Sequence, residues 1–136
     1  MTDFNKNRHA YFKLTYHLVV VTKYRHKCIT NEIMDRLREI TDSLFEKWNC
    51  KVIEMNGEED HIHILFDAPP QINLSNTINS YKTVTSRYIR KEFADELKKY
   101  YWKPYFWSRS YMVLTAGGAT IEMIKRYIEN QGKGKE

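Results

Sequence analysis

The sequence predicts an α+β fold: a ferredoxin-like, RRM-like antiparallel sheet of four strands in the order βαββαβ, helices on one face, and a further C-terminal helix. Three observations lead there. Residues 11–22, YFKLTYHLVVVT, are β-branched and aromatic, as a strand requires. Two segments, 31–48 and 74–93, carry apolar residues at helical spacing. Two short strand-like runs, 50–55 and 60–67, lie side by side between those helices.

Each element has its own signal. The first strand is followed by a basic stretch, KYRHK at 23–27. The first helix places Ile33, Leu37, Ile40, Leu44 and Trp48 on one stripe, with Thr30 or Asn31 as its cap. CKVIEM at 50–55 is the second strand, and Asn56-Gly57 is a turn dipeptide opening a loop of more than two residues. DHIHILFD at 60–67 is the third strand, ended by Pro69-Pro70. The helix over 74–93 aligns Leu74, Ile78, Tyr81, Val84, Tyr88 and Phe93, with Lys82, Arg87, Arg90 and Lys91 on its other side. Residues 94–103 continue it or form a second short helix before the break at Pro104. WSRSYMVLTA at 107–116 contains the fourth strand, and Gly117-Gly118 is a hinge. The final helix, 119–131, has Ile121, Ile124 and Ile128 as its apolar stripe. Residues 1–136 read as one domain, with 1–10 and 132–136 as flexible ends.

In this strand order the first and third strands lie in the middle of the sheet. Side chains alternate along a strand, so Ile62, Ile64 and Phe66 face the packing helices while His61, His63 and Leu65 face the open surface.

Composition narrows the partners. The chain of 136 residues has a net charge of +5 and ten tyrosines. Its pI of about 9.1 favours an anionic partner. Basic and aromatic residues together suit nucleic acid, because bases stack on rings while phosphates pair with Lys and Arg. Cys28 and Cys50 are the only cysteines and show no CxxC spacing, so reduced thiols are expected rather than a disulfide framework. The polar start lacks an apolar signal region, and no run approaches the ~18 apolar residues of a membrane span. The expected location is the cytoplasm.

The chemistry concentrates in two places. His61 and His63 are two apart on a strand and share a face. Tyr127 and Gln131 are four apart on a helix and share a face. Together they offer three neutral metal ligands beside a phenolic hydroxyl. Taken singly, each has an ordinary explanation: a satisfied strand histidine, a packing tyrosine, a surface glutamine, a glycine turn. The ordered set of HxH on a strand, a Gly-Gly hinge and YxxxQ on the last helix is far rarer than its parts. Asp60 reads as a solvated carboxylate at the strand start, ahead of a role orienting an imidazole. Imidazole ligands alone suit Zn²⁺ or Mn²⁺ better than Mg²⁺.

These residues resemble the small single-tyrosine HUH transposases (TnpA) of insertion sequences that move as single-stranded DNA. The resemblance runs from Tyr16-His17-Leu18-Val19 through Lys23-Tyr24-Arg25, Glu54-Met55, Asp60 to Leu65, Trp107 to Ser110 and Thr115-Ala116-Gly117-Gly118 to Lys125 through Gln131. It implies a homodimeric DNA transposase. Tyr127 would be the nucleophile that cleaves single-stranded DNA through a 5′-phosphotyrosine intermediate, and His61, His63 and Gln131 would hold Mg²⁺ or Mn²⁺. The family recognises hairpins at element ends, and its tyrosine helix can serve the partner's histidines. Lys23, Tyr24, Arg25 and Lys27, with Arg87 on the second helix, fit phosphate contact and stacking. Two other readings compete: a non-transposing or domesticated relative that binds nucleic-acid hairpins, and a metal-dependent phosphodiesterase that uses water. Replacing Tyr127 with Phe separates them.

Overall fold

The computed structural model describes residues 14–118 and 121–131. The expected flexible ends, the first three residues of the first predicted strand and the first two of the last predicted helix lie outside that range. Four strands, β1 (Leu14–Val21), β2 (Lys51–Glu58), β3 (His61–Ala68) and β4 (Met112–Thr115), form one antiparallel sheet in the order β2-β3-β1-β4. The first and third strands are therefore central, as the sequence predicts. Helices α1 (Asn31–Lys47) and α2 (Leu74–Glu92) pack against each other, a short α3 (Ala94–Leu97) follows, and α4 (Ile121–Asn130) carries Tyr127. No helix among the described residues is long and apolar enough to cross a membrane.

Local chemistry sets the helix ends. Thr30 caps α1 by accepting from the Ile33 amide at 3.2 Å, and Asn73 caps α2 by accepting from the Asn76 amide at 3.2 Å. Asn49, at φ 58°, turns the chain out of α1 in the left-handed conformation that asparagine tolerates.

The core lies between the sheet and the helices. Leu18, Val20, Ile62, Ile64 and Phe66 are buried on that face, with Ile33, Leu37 and Phe45 of α1 and Ile78, Tyr81 and Ile89 of α2 above them. The phenol of the fully buried Tyr81 meets Thr41 Oγ1 at 2.7 Å, so its hydroxyl is satisfied across the α1–α2 contact. Phe45 stands edge-on to both Tyr81 and Phe66.

One turn expectation is corrected. Asn56-Gly57 is not a turn; both residues lie within β2, paired with His63 and Ile62. The hairpin instead reverses at Glu59 and Asp60. Gly57 is needed for a different reason. A methyl group there would collide with the carbonyl oxygen of His61 and come within 2.9 Å of Met34 Cε. The glycine lets β2 and α1 approach the start of β3 closely.

Candidate functional site

Register decides what surrounds the histidines. Residues paired across an antiparallel sheet share a face, so His61 and His63 lie with Val21 and Val19 on β1 and with Glu58 and Asn56 on β2. Ile62 and Ile64 are fully buried, whereas His61 and His63 are half-buried on the opposite surface. The predicted alternation is therefore observed. Val19 and Val21 are themselves fully buried, which makes the ground beside the imidazoles apolar.

Each imidazole has a partner that orients it. His61 Nδ1 lies 2.8 Å from Asp60 Oδ1, which turns its Nε2 away from the carboxylate. Asp60 is buried and also accepts from Arg25 Nε at 3.0 Å. This overturns its reading as a solvated carboxylate: the Thr22 amide bonds the Asp60 carbonyl at 2.9 Å and pins the residue inside the turn. Burial works to raise the Asp60 carboxyl. The hydrogen bonds from His61 and Arg25 outweigh it and hold the group below the usual carboxylate range.

His63 is oriented by a residue that was not singled out, His17 of β1. Its Nδ1 lies 2.6 Å from His63 Nε2, and the two rings are within 6° of parallel with centroids 4.8 Å apart. The centroid spacing exceeds the N···N distance by about two ring radii, so the rings meet edge to edge through one hydrogen bond. Burial, and then the neighbouring His17, push the His63 imidazole below its usual range. Both effects favour the neutral imidazole, and with Nε2 engaged by His17 the nitrogen left to offer a lone pair is Nδ1, when Nε2 carries the proton.

The basic segment after β1 divides in two. Tyr24 and Arg25 adopt left-handed backbone at φ 59° and 58°, a conformation costing about 1–3 kcal/mol for each non-glycine residue. The buried Thr22 supports it, its carbonyl accepting from the Arg25 amide and its hydroxyl donating to the His26 carbonyl. The turn sends Arg25 inward to Asp60 and leaves Tyr24 44% exposed. Lys23 is buried, its ammonium about 5 Å from the rings of Tyr24 and Tyr105. Of the expected DNA-contacting residues, Tyr24, Lys27 and Arg87 are exposed, while Lys23 and Arg25 are committed to the protein.

Tyr127 on α4 and Gln131, the residue just past its end, are brought together by Ser110, which precedes β4. Ser110 Oγ donates to Gln131 Oε1 at 3.0 Å and lies 2.8 Å from the Tyr127 hydroxyl. A serine has one proton to give, so with that proton on Gln131 it accepts from the phenol. Arg25 joins the two halves: Nη1 reaches the Glu129 carbonyl of α4 at 3.5 Å while Nε holds Asp60. Helix α4 has no buried residue, and Ile121 of its predicted apolar stripe is 69% exposed. These polar contacts at its C-terminal end therefore matter to its seating.

His17 and Ser110 lie inside segments that carry the family resemblance, but neither has a local spacing that assigns it a role. Only the alternation of β1, once its register is known, puts His17 on the histidine face. Among the described residues no three His, Cys, Asp or Glu side chains gather into a metal-holding group. The donors on offer are two oriented imidazoles and the amide oxygen of Gln131.

The chain matches the family described as IS200-like transposases over residues 10–131. It is 31% identical over 129 residues to the ISDra2 transposase TnpA of Deinococcus radiodurans, covering 95% of this chain and 91% of that one. It is 32% identical over 131 residues to the transposase for insertion sequence element IS200 of Salmonella typhimurium, covering 96% and 85%. A crystal structure from Deinococcus radiodurans R1, provisionally described as a transposase, superposes with a TM-score of 0.83 at 32% identity, covering 92% of this chain and 95% of that one. A REP-associated tyrosine transposase bound to a REP hairpin shares the fold, with a TM-score of 0.56 at 13% identity and coverage of 91% and 68%. The chain belongs to the IS200-like transposase family.

Proposed function

We propose that this transposase cuts and rejoins single-stranded DNA at hairpin-bearing element ends through a 5′-phosphotyrosine on Tyr127. The observation that carries the reading is the pairing of Tyr127 and Gln131 on one hydroxyl, Ser110 Oγ, in a chain whose sheet presents two oriented imidazoles.

The donor set fits a divalent cation. His61 is backed by a carboxylate, His63 favours its neutral form, and Gln131 adds a hard oxygen, a mixture that accepts Mn²⁺ readily and Mg²⁺ with water completing its shell. His61, His63 and Gln131 would hold the ion, which supplies Lewis-acid polarisation of the scissile phosphate. Tyr127 attacks phosphorus; the phenol gives up its proton as the O–P bond forms, the bond to the 3′ oxygen breaks, and that oxygen takes up a proton to leave as a free 3′-OH. Because the covalent link conserves the phosphodiester, another 3′-OH can reverse the step and join new strands without ATP. Ser110 holds the phenol hydroxyl before attack, and Asp60 and His17 fix the imidazoles. The protein acts as a homodimer, and the Gly117-Gly118 segment lets α4 serve its own or the partner's histidines.

The test is incubation of labelled single-stranded DNA from the flanks of the gene with protein and Mn²⁺ or Mg²⁺. A denaturation-resistant protein–DNA band that needs metal and is lost in Tyr127→Phe is expected. Cleavage surviving in Tyr127→Phe would point to attack by water. Hairpin binding without any adduct from the parent chain would point to a binding-only relative.

A further inference from the structure

A groove runs between the second half of α2 and the segment that leads into β4. It consists of two adjoining open cavities, about 260 and 210 Å³, that share Arg90, Pro104 and Tyr105. One end is walled by Ser108, two residues before the Ser110 that holds Tyr127. The other end is walled by Lys98 and Lys103. The groove thus leads away from the segment that seats the tyrosine.

Its lining is cationic. Lys82, Arg90, Lys98 and Lys103 border the two cavities, and no carboxylate does. Lys82 gives its protons to the carbonyls of Ser108, Arg109 and Ser110, so it fixes the shape of that end while leaving its charge there. Lys98 has an exposed pair with Asp95 at 3.5 Å, the kind of contact a phosphate displaces readily.

Aromatic rings stand in the groove wall and next to it. Trp102 lines neither cavity, but it adjoins Lys103, whose Nζ lies 5.1 Å from its ring centroid, and it is 89% exposed, unusual for the largest apolar side chain. Tyr105, in the shared wall, meets the exposed Tyr24 edge-on at 5.9 Å. Cations spaced along a groove with uncovered rings beside them match a single strand of nucleic acid, whose phosphates need charge and whose unpaired bases need a flat partner. A duplex hides its base faces, and an acidic peptide has none to stack.

We infer that this groove binds an unpaired stretch of nucleic acid continuing from the strand at Tyr127, with phosphates along Arg90, Lys98 and Lys103 and a base stacked on Trp102. The inference rests on the nucleic-acid reading above but concerns a surface apart from the histidines and the tyrosine. It gives the protein a hold on single-stranded sequence beyond the cleaved bond.

The experiment uses the full chain carrying Tyr127→Phe, in EDTA, so that neither covalent capture nor metal contributes. A fluorescein-labelled oligo-dT is titrated by anisotropy while tryptophan emission is read with unlabelled oligo-dT. The other tryptophans are Trp48, half-buried, and Trp107, buried, so a base on Trp102 gives a distinct quench. Quenching by oligo-dT and not by a duplex of equal length is expected. Trp102→Ala should remove the quench and weaken binding about tenfold. Trp102→Phe should retain binding while losing the signal. Lys103→Glu should lower the slope of log affinity against log salt by about one. Oligo-dT that binds without quenching, Trp102→Ala binding like the parent, or equal displacement by poly-glutamate would each overturn the inference. Metal-dependent adduct formation by the chain with Tyr127 intact is scored separately. A parent that forms the adduct while Trp102→Ala binds oligo-dT unchanged would sink the groove and leave the tyrosine reading standing.

Discussion

The hydroxyl of Ser110 lies 2.8 Å from the hydroxyl of Tyr127, and it simultaneously donates to Gln131 Oε1 at 3.0 Å. One small side chain at the entrance to β4 therefore registers Tyr127 of α4 and Gln131 just past its end, where the helix has no buried residue to seat it. Ser110→Ala should slow phosphotyrosine formation about two- to tenfold, the worth of one exposed hydrogen bond, with DNA affinity unchanged. Single-turnover gel kinetics beside an anisotropy titration check this; an unchanged adduct rate would show that the serine does not position the phenol.

Arg25 ties the carboxylate behind His61 to the last turn of α4. Lysine offers no planar fork to repeat that double contact. Arg25→Lys and Asp60→Asn should both lower Mn²⁺ affinity, Asp60→Asn by about 10–100-fold. Only the arginine variant should also slow the adduct at saturating Mn²⁺. Calorimetric Mn²⁺ titration and adduct kinetics separate the two effects.

His17 should matter for the same ion through a different ring. Its hydrogen bond to His63 fixes which nitrogen that imidazole presents. His17→Ala should weaken Mn²⁺ binding by about tenfold, and His17→Gln, which keeps a hydrogen-bonding side chain, should recover part of the loss. Equal Mn²⁺ affinity in all three proteins would remove His17 from the site.

Gly57 carries a stability prediction. Gly57→Ala places a methyl group against the His61 carbonyl and Met34, forcing β2, β3 or α1 to shift. The expected loss is about 1–3 kcal/mol, read by urea unfolding. Because the displaced atoms belong to His61, Mn²⁺ affinity should fall as well.

Burial pushes the thiols of Cys28 and Cys50 up to about 11. An unfolded thiol ionises near ~8.5. Below that pH both states hold the proton and stability is unaffected. Between there and about 11 the unfolded chain releases protons that the folded chain retains, so stability falls as pH rises. The buried Tyr81 phenol, also raised by burial, adds to this with the same sign at higher pH. A melting temperature that declines from pH 9 to 11, less steeply in Cys28→Val, is the expected outcome. A thiol reagent at pH 8 should label either cysteine only after unfolding.

The sequence by itself determined the elements, the sheet order and the facing of the histidines. Strand alternation and helical periodicity are local properties, so Ile62 and Ile64 turned inward and His61 and His63 outward without reference to anything distant. The same holds for Tyr127 beside Gln131 on one helical face. Tertiary structure decided the neighbours. His17 reaches His63 only through the β1–β3 register, and Ser110 reaches Tyr127 only because α4 folds back past the start of β4. Asp60 is buried, and Arg25 turned onto it, by a pair of left-handed residues that no propensity favours. Asn56-Gly57 shows the reverse limit: a strong local turn signal gave way to strand pairing, because the missing side chain was needed for close approach between elements and not for a bend. Periodicity says which way a side chain leaves its own backbone. What it meets there is set by the packing of other segments, and the partners of this site come from those segments.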